Sequence, residues 1–544
     1  MGSKTRLLQS RNKWKGKAGC HSAGERYLGR ENRRIRKERN EYKERMKKAE
    51  KQLKIYQDGK NASVINKADL VFIALLLFTG AAISFRAVHR VIAILGQYLG
   101  VEKPPCPQTV INWITRLSIS RMSCLNQFSV KFKGDIFSNG FIWVIDTSIA
   151  MGVGKIFAVL AVKASHYEMN HRAVSLKDTY CVGVSVSISW TGELIAEFLK
   201  KIIDVVGRPA AILKDGGTDL KKAVNILADA GIYCRSIDDI SHVIANLLKH
   251  EYCECPYFEI FISSCSKISK NFKQTILACL VPPKTTPKGR FMNVHRLVRW
   301  ADQILKHSPV GRSAQGSILS KMRKKLDYLP QCRIFIQRFL EDAIPLLEIQ
   351  KILKTKGLSH STANECGDLI NSIKSSSVRF GFQCWIDKQL VIAQQLELDE
   401  EGLPVSSDPL ESLFAMAKHR GVGEVKDANR IASHLPALCG EVTHEDAERV
   451  LNITVLEQQT IVDRLSSLTK QRRAVLNVPG SLESLSCDMD GVELLTLLPG
   501  ANKRSKNENK STTLDSCVKA TDPEKFIASI GNSTAPPEGI HSIA

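Results

Sequence analysis

Apolar positions along the chain change their spacing twice. Between residues 62 and 120 they recur at three and four, the period of helices that pack one face. The predicted helices are Lys67–Thr79, Ser84–Gln97 and Gln108–Ser118, separated by Gly80 and then by Gly100 with Pro104-Pro105-Cys106-Pro107. From residue 141 the pattern shortens to the continuous or alternating apolar runs of strands. These are Phe141–Ile145, Lys155–Val162 (after a turn with Gly152 and Gly154) and Thr179–Trp190. An amphipathic helix follows over Glu193–Val206, with Leu194, Ile195, Phe198, Leu199, Ile202, Ile203 and Val206 on one face. Strand Ala210–Leu213, helix Asp219–Asp229 and strand Ile232–Ile237 complete a β-β-β-α-β-α-β order. Residues 251–400 return to helical periodicity, with basic linkers at Lys284–Arg290 and Lys321–Lys325, and 408–470 add further helices. Beyond about 470 Ser, Gly, Asn, Thr and Pro dominate, and that tail is expected to be disordered.

Composition narrows the class. The chain has 544 residues, enough for roughly three to four units of ordinary size. With 43% apolar and 24% charged residues it is not wholly disordered, collagen-like or a disulfide scaffold. Its 77 Lys and Arg against 55 Asp and Glu leave +22, which favours a polyanionic partner. Residues 1–60 hold 20 Lys and Arg against 7 Asp and Glu. Within them Arg33–Lys54 reads as a long charged helix, either simply solvated or in contact with phosphates.

Membrane and secretory destinations are not expected. The most apolar stretch, Leu70–Phe85, is interrupted by Thr79 and Gly80 and falls short of a bilayer span. The N-terminus is charged throughout, without the apolar core of a signal peptide. The 15 cysteines form no CxxC pair. His250, Cys253 and Cys255 are either a partial zinc cluster or, with the other cysteines, free thiols of a reducing cytoplasm.

The third N-terminal helix carries Val110, Trp113, Ile114 and Leu117 on one face. Gln108, Thr109, Asn112, Thr115 and Arg116 fall on the other, side-chain types that contact base edges and phosphates. The module is therefore either a helix-turn-helix with Gln108–Ser118 as recognition helix or a plain three-helix bundle.

Two aspartates stand at strand ends. Asp146 closes the first strand (FIWVID) and Asp215 the fourth (AAILKDGG). An Asp there is common in turns. Two in this strand order converge if strands one and four are neighbours, and converging carboxylates call for a hard cation such as Mg²⁺ or Mn²⁺.

The strand order and the two aspartates resemble the RNase H-like core of the DDE transposases of bacterial insertion sequences. The resemblance implies an α/β fold: a mixed sheet interrupted by an all-helical insertion and preceded by a helical DNA-binding module. It also implies a third acid on a helix after the fifth strand, and two metal ions for phosphoryl transfer. Ser407–Arg420 (SDPLESLFAMAKHR) is the segment most similar to the family's Glu-bearing helix. Its Glu411 is then the third acid, and Lys418, two turns along, a DNA-backbone contact. Glu348 and Glu365 are rivals for Glu411. Pro404 and Ser407 replace the Tyr and Arg of the family's Tyr-Arg-Glu-Lys signature, so that match is partial. Asp239-Ile240-Ser241-His242 resembles the Cys/Asp-x-x-His motif found at the start of such insertions, where Asp239 and His242 shape the site; a plain helix cap reads equally well. Trp385 either stacks on an unpaired base or belongs to a core.

The division implied is a basic leader (1–60), a helix-turn-helix domain (61–130), the first part of the core (131–250), the insertion (251–400), the final core helices (401–470) and the tail (471–544). The function implied is strand cleavage and transfer at the inverted repeats of a mobile element, into target DNA. It would be performed by a homo-oligomer in the cytoplasm, at the nucleoid. The alternative is a DNA-binding protein derived from such an enzyme without its chemistry.

Overall fold

The computed structural model describes residues 65–131, 140–148, 154–284, 290–307, 311–419 and 427–464, with scattered positions between 8 and 47. The expected tail lies outside these residues, and the expected leader helix does so for the most part. Of the latter, Lys47 and Glu44 pair at 3.7 Å, three positions apart and well exposed.

The chain opens with α1 (Lys67–Thr79), α2 (Phe85–Leu99) and α3 (Pro107–Lys131). Strands β1 (Phe141–Thr147) and β2 (Lys155–Lys163) follow, then a short α4 (His166–Asn170) and β3 (Thr179–Ser187). Next come α5 (Gly192–Val206), β4 (Ala211–Lys214), α6 (Thr218–Asp229) and β5 (Arg235–Asp238). Helices then continue as α7 (Ile240–Tyr252), α8 (Pro256–Phe272), α9 (Arg290–Lys306), α10 (Ile318–Lys325) and α11 (Arg333–Lys356). After these stand α12 (His360–Glu365), α13 (Gly367–Ser372), α14 (Ser376–Gln395), α15 (Asp408–His419), α16 (Ala428–Ala432), α17 (His444–Asn452) and α18 (Val455–Arg464). The chain is thus mixed α/β, with one five-stranded sheet among many helices.

These elements form two compact units: residues 1–120 with 411–426 and 434–463, and residues 121–410 with 427–433 and 464–544. In the first unit Asn66 accepts from the Asp69 amide to start α1, and Ser84 accepts from Ala87 to start α2. Gly100 at φ 67° ends α2 in the left-handed region, where a Cβ would be strained. The apolar run of Leu70–Phe85 is split by this geometry. Phe78 near the end of α1 stacks on Phe85 at the start of α2, with ring centroids 4.5 Å apart. Among the described residues no helix is long and apolar enough to cross a membrane.

Residues 434–463 complete this unit. His444 stacks on Phe72 at 3.9 Å and reaches Asp69 at 3.5 Å. The Ala437 amide donates to Ser118 Oγ at 3.2 Å, which buries the last turn of the predicted third helix. That helix runs on to Lys131, since no Pro or Gly interrupts residues 108–131.

In the second unit the sheet order is β3-β2-β1-β4-β5. β1 pairs antiparallel with β2 and parallel with β4, β2 pairs antiparallel with β3, and β4 pairs parallel with β5. Ile142–Ile145 of β1 and all four residues of β4 are buried, as expected of central strands covered on both faces. Phe198 and Ile202 of α5 pack on β3, where a Cβ at Gly183 would collide with Ile202. Leu194 is exposed instead, one residue outside the buried stripe.

Three strand ends differ from expectation by two residues or more, each for a local reason. β1 extends to Thr147 because Asp146 and Thr147 still pair with Ala158 and Phe157 of β2. β3 stops at Ser187, and Trp190 folds back so that its Nε1 donates to the Lys155 carbonyl. β5 starts late because the Ile232 amide is taken by the Leu227 carbonyl at the end of α6, with Gly231 at φ 78°.

Candidate active site at the carboxyl ends of β1 and β4

The register of the two central strands decides where the aspartates stand. Ile145 of β1 lies opposite Lys214 of β4 in a parallel pair. Asp146 and Asp215 are the next residues on each strand, so the two carboxyl-bearing positions sit side by side at one sheet edge. Here the chain leaves β1 toward β2 on one side, while β4 leads toward β5 on the other. Such a reversal point, beyond the carboxyl ends of parallel strands, is where α/β sheets open a crevice for ligands.

Both side chains are half-buried. Asp146 Oδ1 accepts from the Thr147 amide at 2.6 Å. Asp215 Oδ1 accepts from the Gly217 amide at 2.8 Å, closing a tight turn into the N-terminus of α6. A Cβ at Gly217 would stand 2.8 Å from that same oxygen, so the turn keeps its glycine to leave the carboxylate uncrowded. A Cβ at Gly216 would meet the Asn246 amide of α7 at 3.3 Å, which brings Asn246 close to the turn. The aligned amides at the start of α6 favour negative charge on the Asp215 side.

Beneath Asp215 lies Lys214, buried in β4 and ion-paired to Asp238 at 2.9 Å. Lys388 of α14 reaches the other Asp238 oxygen at 3.0 Å. Burial opposes ionisation of Asp238, but Lys214 and then Lys388 outweigh it and hold the carboxyl below its ordinary range. The sequence reading ended this strand at Leu213, so neither the buried lysine nor its partner was foreseen.

Asp239 caps α7 and is buried. Its Oδ1 accepts from the Ser241 amide at 3.2 Å, and its Oδ2 accepts from the Ser407 hydroxyl at 3.1 Å. The Ile240 amide donates to the Val405 carbonyl, so the start of α7 is tied to the segment leading into α15. Burial is the main influence on Asp239 and pushes its carboxyl up to about 6; His242 and Lys354 pull it down, and Asp408 pushes it up. His242 is half-buried on the first turn of α7. Lys354 donates to both oxygens of Asp408 at 2.7 Å, and Tyr167 donates to the Lys354 carbonyl. Sequence patterns did not point to Lys354, nor to the remote partners of Asp408 and Ser407, which read only as the start of the Glu411 helix.

The remaining expected residues fall as follows. Glu411 is exposed near the start of α15, among the residues of the first unit. Lys418 lies two turns further along that helix. Of the rivals, Glu348 is exposed on α11, and Glu365 is paired with Lys356 at 2.7 Å. Trp385 is buried and stacks on Phe382 at 5.4 Å, so it is a core residue and not a platform for a base. Among the described residues no group of three or more His, Cys, Asp or Glu side chains could hold a metal ion; this includes His250, Cys253 and Cys255.

On α3, Val110, Trp113, Ile114 and Leu117 are buried as expected. Gln108 is exposed and donates to Asn112 at 3.1 Å, and Thr109 and Asn112 are partly exposed. Thr115 is buried, contrary to its expected place on the open face, because His434 covers it at 3.4 Å. Arg116 Nε donates to Gln458 at 2.8 Å.

No protein-family model matches the chain, and a search of curated proteins finds no match.

Proposed function

We propose that the chain is a metal-dependent DNA transposase of the DDE type, with an RNase H-like core. The observation that carries this reading is the placement of Asp146 and Asp215 side by side at the carboxyl ends of two adjacent parallel strands. Two half-buried carboxylates, a glycine turn that leaves Asp215 uncrowded and hard oxygen donors fit Mg²⁺ or Mn²⁺. Two such ions, when bound, supply Lewis acidity for in-line attack on a phosphodiester. Asp146 and Asp215 would hold them, with Glu411 as the third acid of this reading. Asp239 and His242 fix the entry to α7 beside the site, while Asn246 stands over the Asp215 turn. Gln108, Thr109, Asn112 and Arg116 on α3, with Lys418, are the DNA contacts of this reading, and a homo-oligomer acts at the paired inverted repeats.

The test is Mg²⁺-dependent strand cleavage of a DNA fragment that carries the flanks of the coding region. Asp146→Asn, Asp215→Asn and Glu411→Gln should each abolish it while leaving DNA binding intact. Undiminished cleavage by Asp215→Asn would sink the assignment. Specific binding without cleavage in the unaltered chain would leave the non-catalytic DNA-binding reading in its place.

A further inference from the structure

Positive charge is concentrated in two segments. Residues 256–340 carry 16 Lys and Arg against three acids (Glu259, Asp302 and Asp327), a net +13 that equals that of residues 1–60. Outside these two segments the chain is net acidic. We propose that α8, α9 and α10 form a surface that grips the phosphate backbone of duplex DNA without reading its sequence.

Lys267 and Lys270 stand one turn apart on α8, and Lys273 follows at its end; all three are exposed. Lys321–Lys325, expected as a linker, form the end of helix α10, on which Lys321, Lys324 and Lys325 are exposed. Among the described residues none of these six has a carboxylate partner. Some exposed lysines elsewhere in the same unit do: Lys356 pairs with Glu365, Lys388 with Asp238 and Lys222 with Glu193. The six lysines thus add positive charge that no carboxylate among the described residues neutralises, although Lys306 of α9 pairs with Asp302 at 3.0 Å. The rows are held rigidly. Phe258, Phe261, Cys265, Ile268 and Phe272 bury the other side of α8, Phe258 stacks on Phe291 of α9 at 4.8 Å, and Cys265 meets Tyr328 beyond α10 at 3.4 Å. Arg296 and Arg299 of α9 add to burial in holding His295 below its usual range, a sign of net positive potential.

A basic helix that lies on a bilayer needs its apolar face for the lipid. On α8 the main apolar stripe is inside the protein, which leaves the charged side to a polyanion. The choice of DNA among polyanions rests on the function proposed above.

Affinity of the full chain for a mixed-sequence duplex is measured against salt, from about 50 to 200 mM. Lys267→Gln/Lys270→Gln/Lys273→Gln and Lys321→Gln/Lys324→Gln/Lys325→Gln should each flatten the slope of log affinity on log salt by about 3, and Lys→Arg at the same positions should restore it. Unchanged slopes in both triple variants, with an unchanged unfolding midpoint, would overturn the proposal. So would a loss of binding to phosphatidylserine vesicles with DNA binding intact. Cleavage is read separately: its absence in the unaltered chain counts against the transposase reading and leaves the slope test standing.

Discussion

Asp239 is the sharpest place to test the geometry, because its burial makes a signed prediction about pH. The carboxyl is fully enclosed and accepts only from the Ser241 amide and Ser407 on the protein side. Its folded value of about 6, against 3.8 for the free group, means that the native state binds the proton more tightly than the unfolded chain. Stability from this group is therefore highest at low pH. It declines as the unfolded chain ionises above 3.8, and the decline is complete once pH passes the folded value near 6. A displacement of that size corresponds to about 3 kcal/mol. Asp239→Asn keeps an acceptor for the Ser241 amide, places an amide beside the Ser407 hydroxyl, and cannot ionise. Urea unfolding of both proteins at about pH 3 and pH 7 should show the variant gaining about 3 kcal/mol on the parent over that interval. A difference between the two proteins that does not move with pH would refute the reasoning, since it would mean that Asp239 titrates alike in both states. A gain of opposite sign would mean that Lys354 and His242 outweigh burial.

Gly217→Ala presses a methyl group onto Asp215 Oδ1 at a backbone angle that alanine tolerates, φ −59°. On the proposed function, DNA cleavage should fall roughly tenfold to a hundredfold with an unfolding midpoint close to the parent's, and an unaltered rate would show that the Asp215 turn is not held by this contact. Gln389 is buried on α14 with neither amide atom hydrogen-bonded. Gln389→Met should therefore stabilise the protein by about 1 kcal/mol in thermal unfolding, and a lower melting temperature would place a bound water at that amide.

Much of the sheet unit was legible because its signals are local. Apolar runs such as FIWVI and AAIL were legible as strands, and the strand-end positions of Asp146 and Asp215 follow from them. The register that puts the two side by side was not legible, since it is set by pairing across 69 residues of chain. Thr115 shows the same limit on a helix. Its spacing placed it on the polar face, but His434 arrives from far along the chain to bury it. Asp239 was readable as a cap from Asp-Ile-Ser-His, whereas its burial depends on Ser407, 168 residues away. Local periodicity assigns a side chain to a face; only the remote neighbour decides whether that face meets solvent.

The pairing of residues 434–463 with α1–α3 also sets an order of events during synthesis. Thr115 and Ser118 wait for His434 and Ala437, each 319 residues later in the chain, and Arg116 waits for Gln458. A nascent chain folds from its N-terminal end as it emerges, yet the α1–α3 module can be finished only once residues out to Gln458 have been made. The sheet unit, by contrast, has all five strands available once Asp238 has emerged. A message truncated before codon 434 would thus yield the aspartate-bearing sheet beside an incomplete α1–α3 module. Synthesis of residues 434–458, after the last strand of the sheet, is then the step that completes the α1–α3 module.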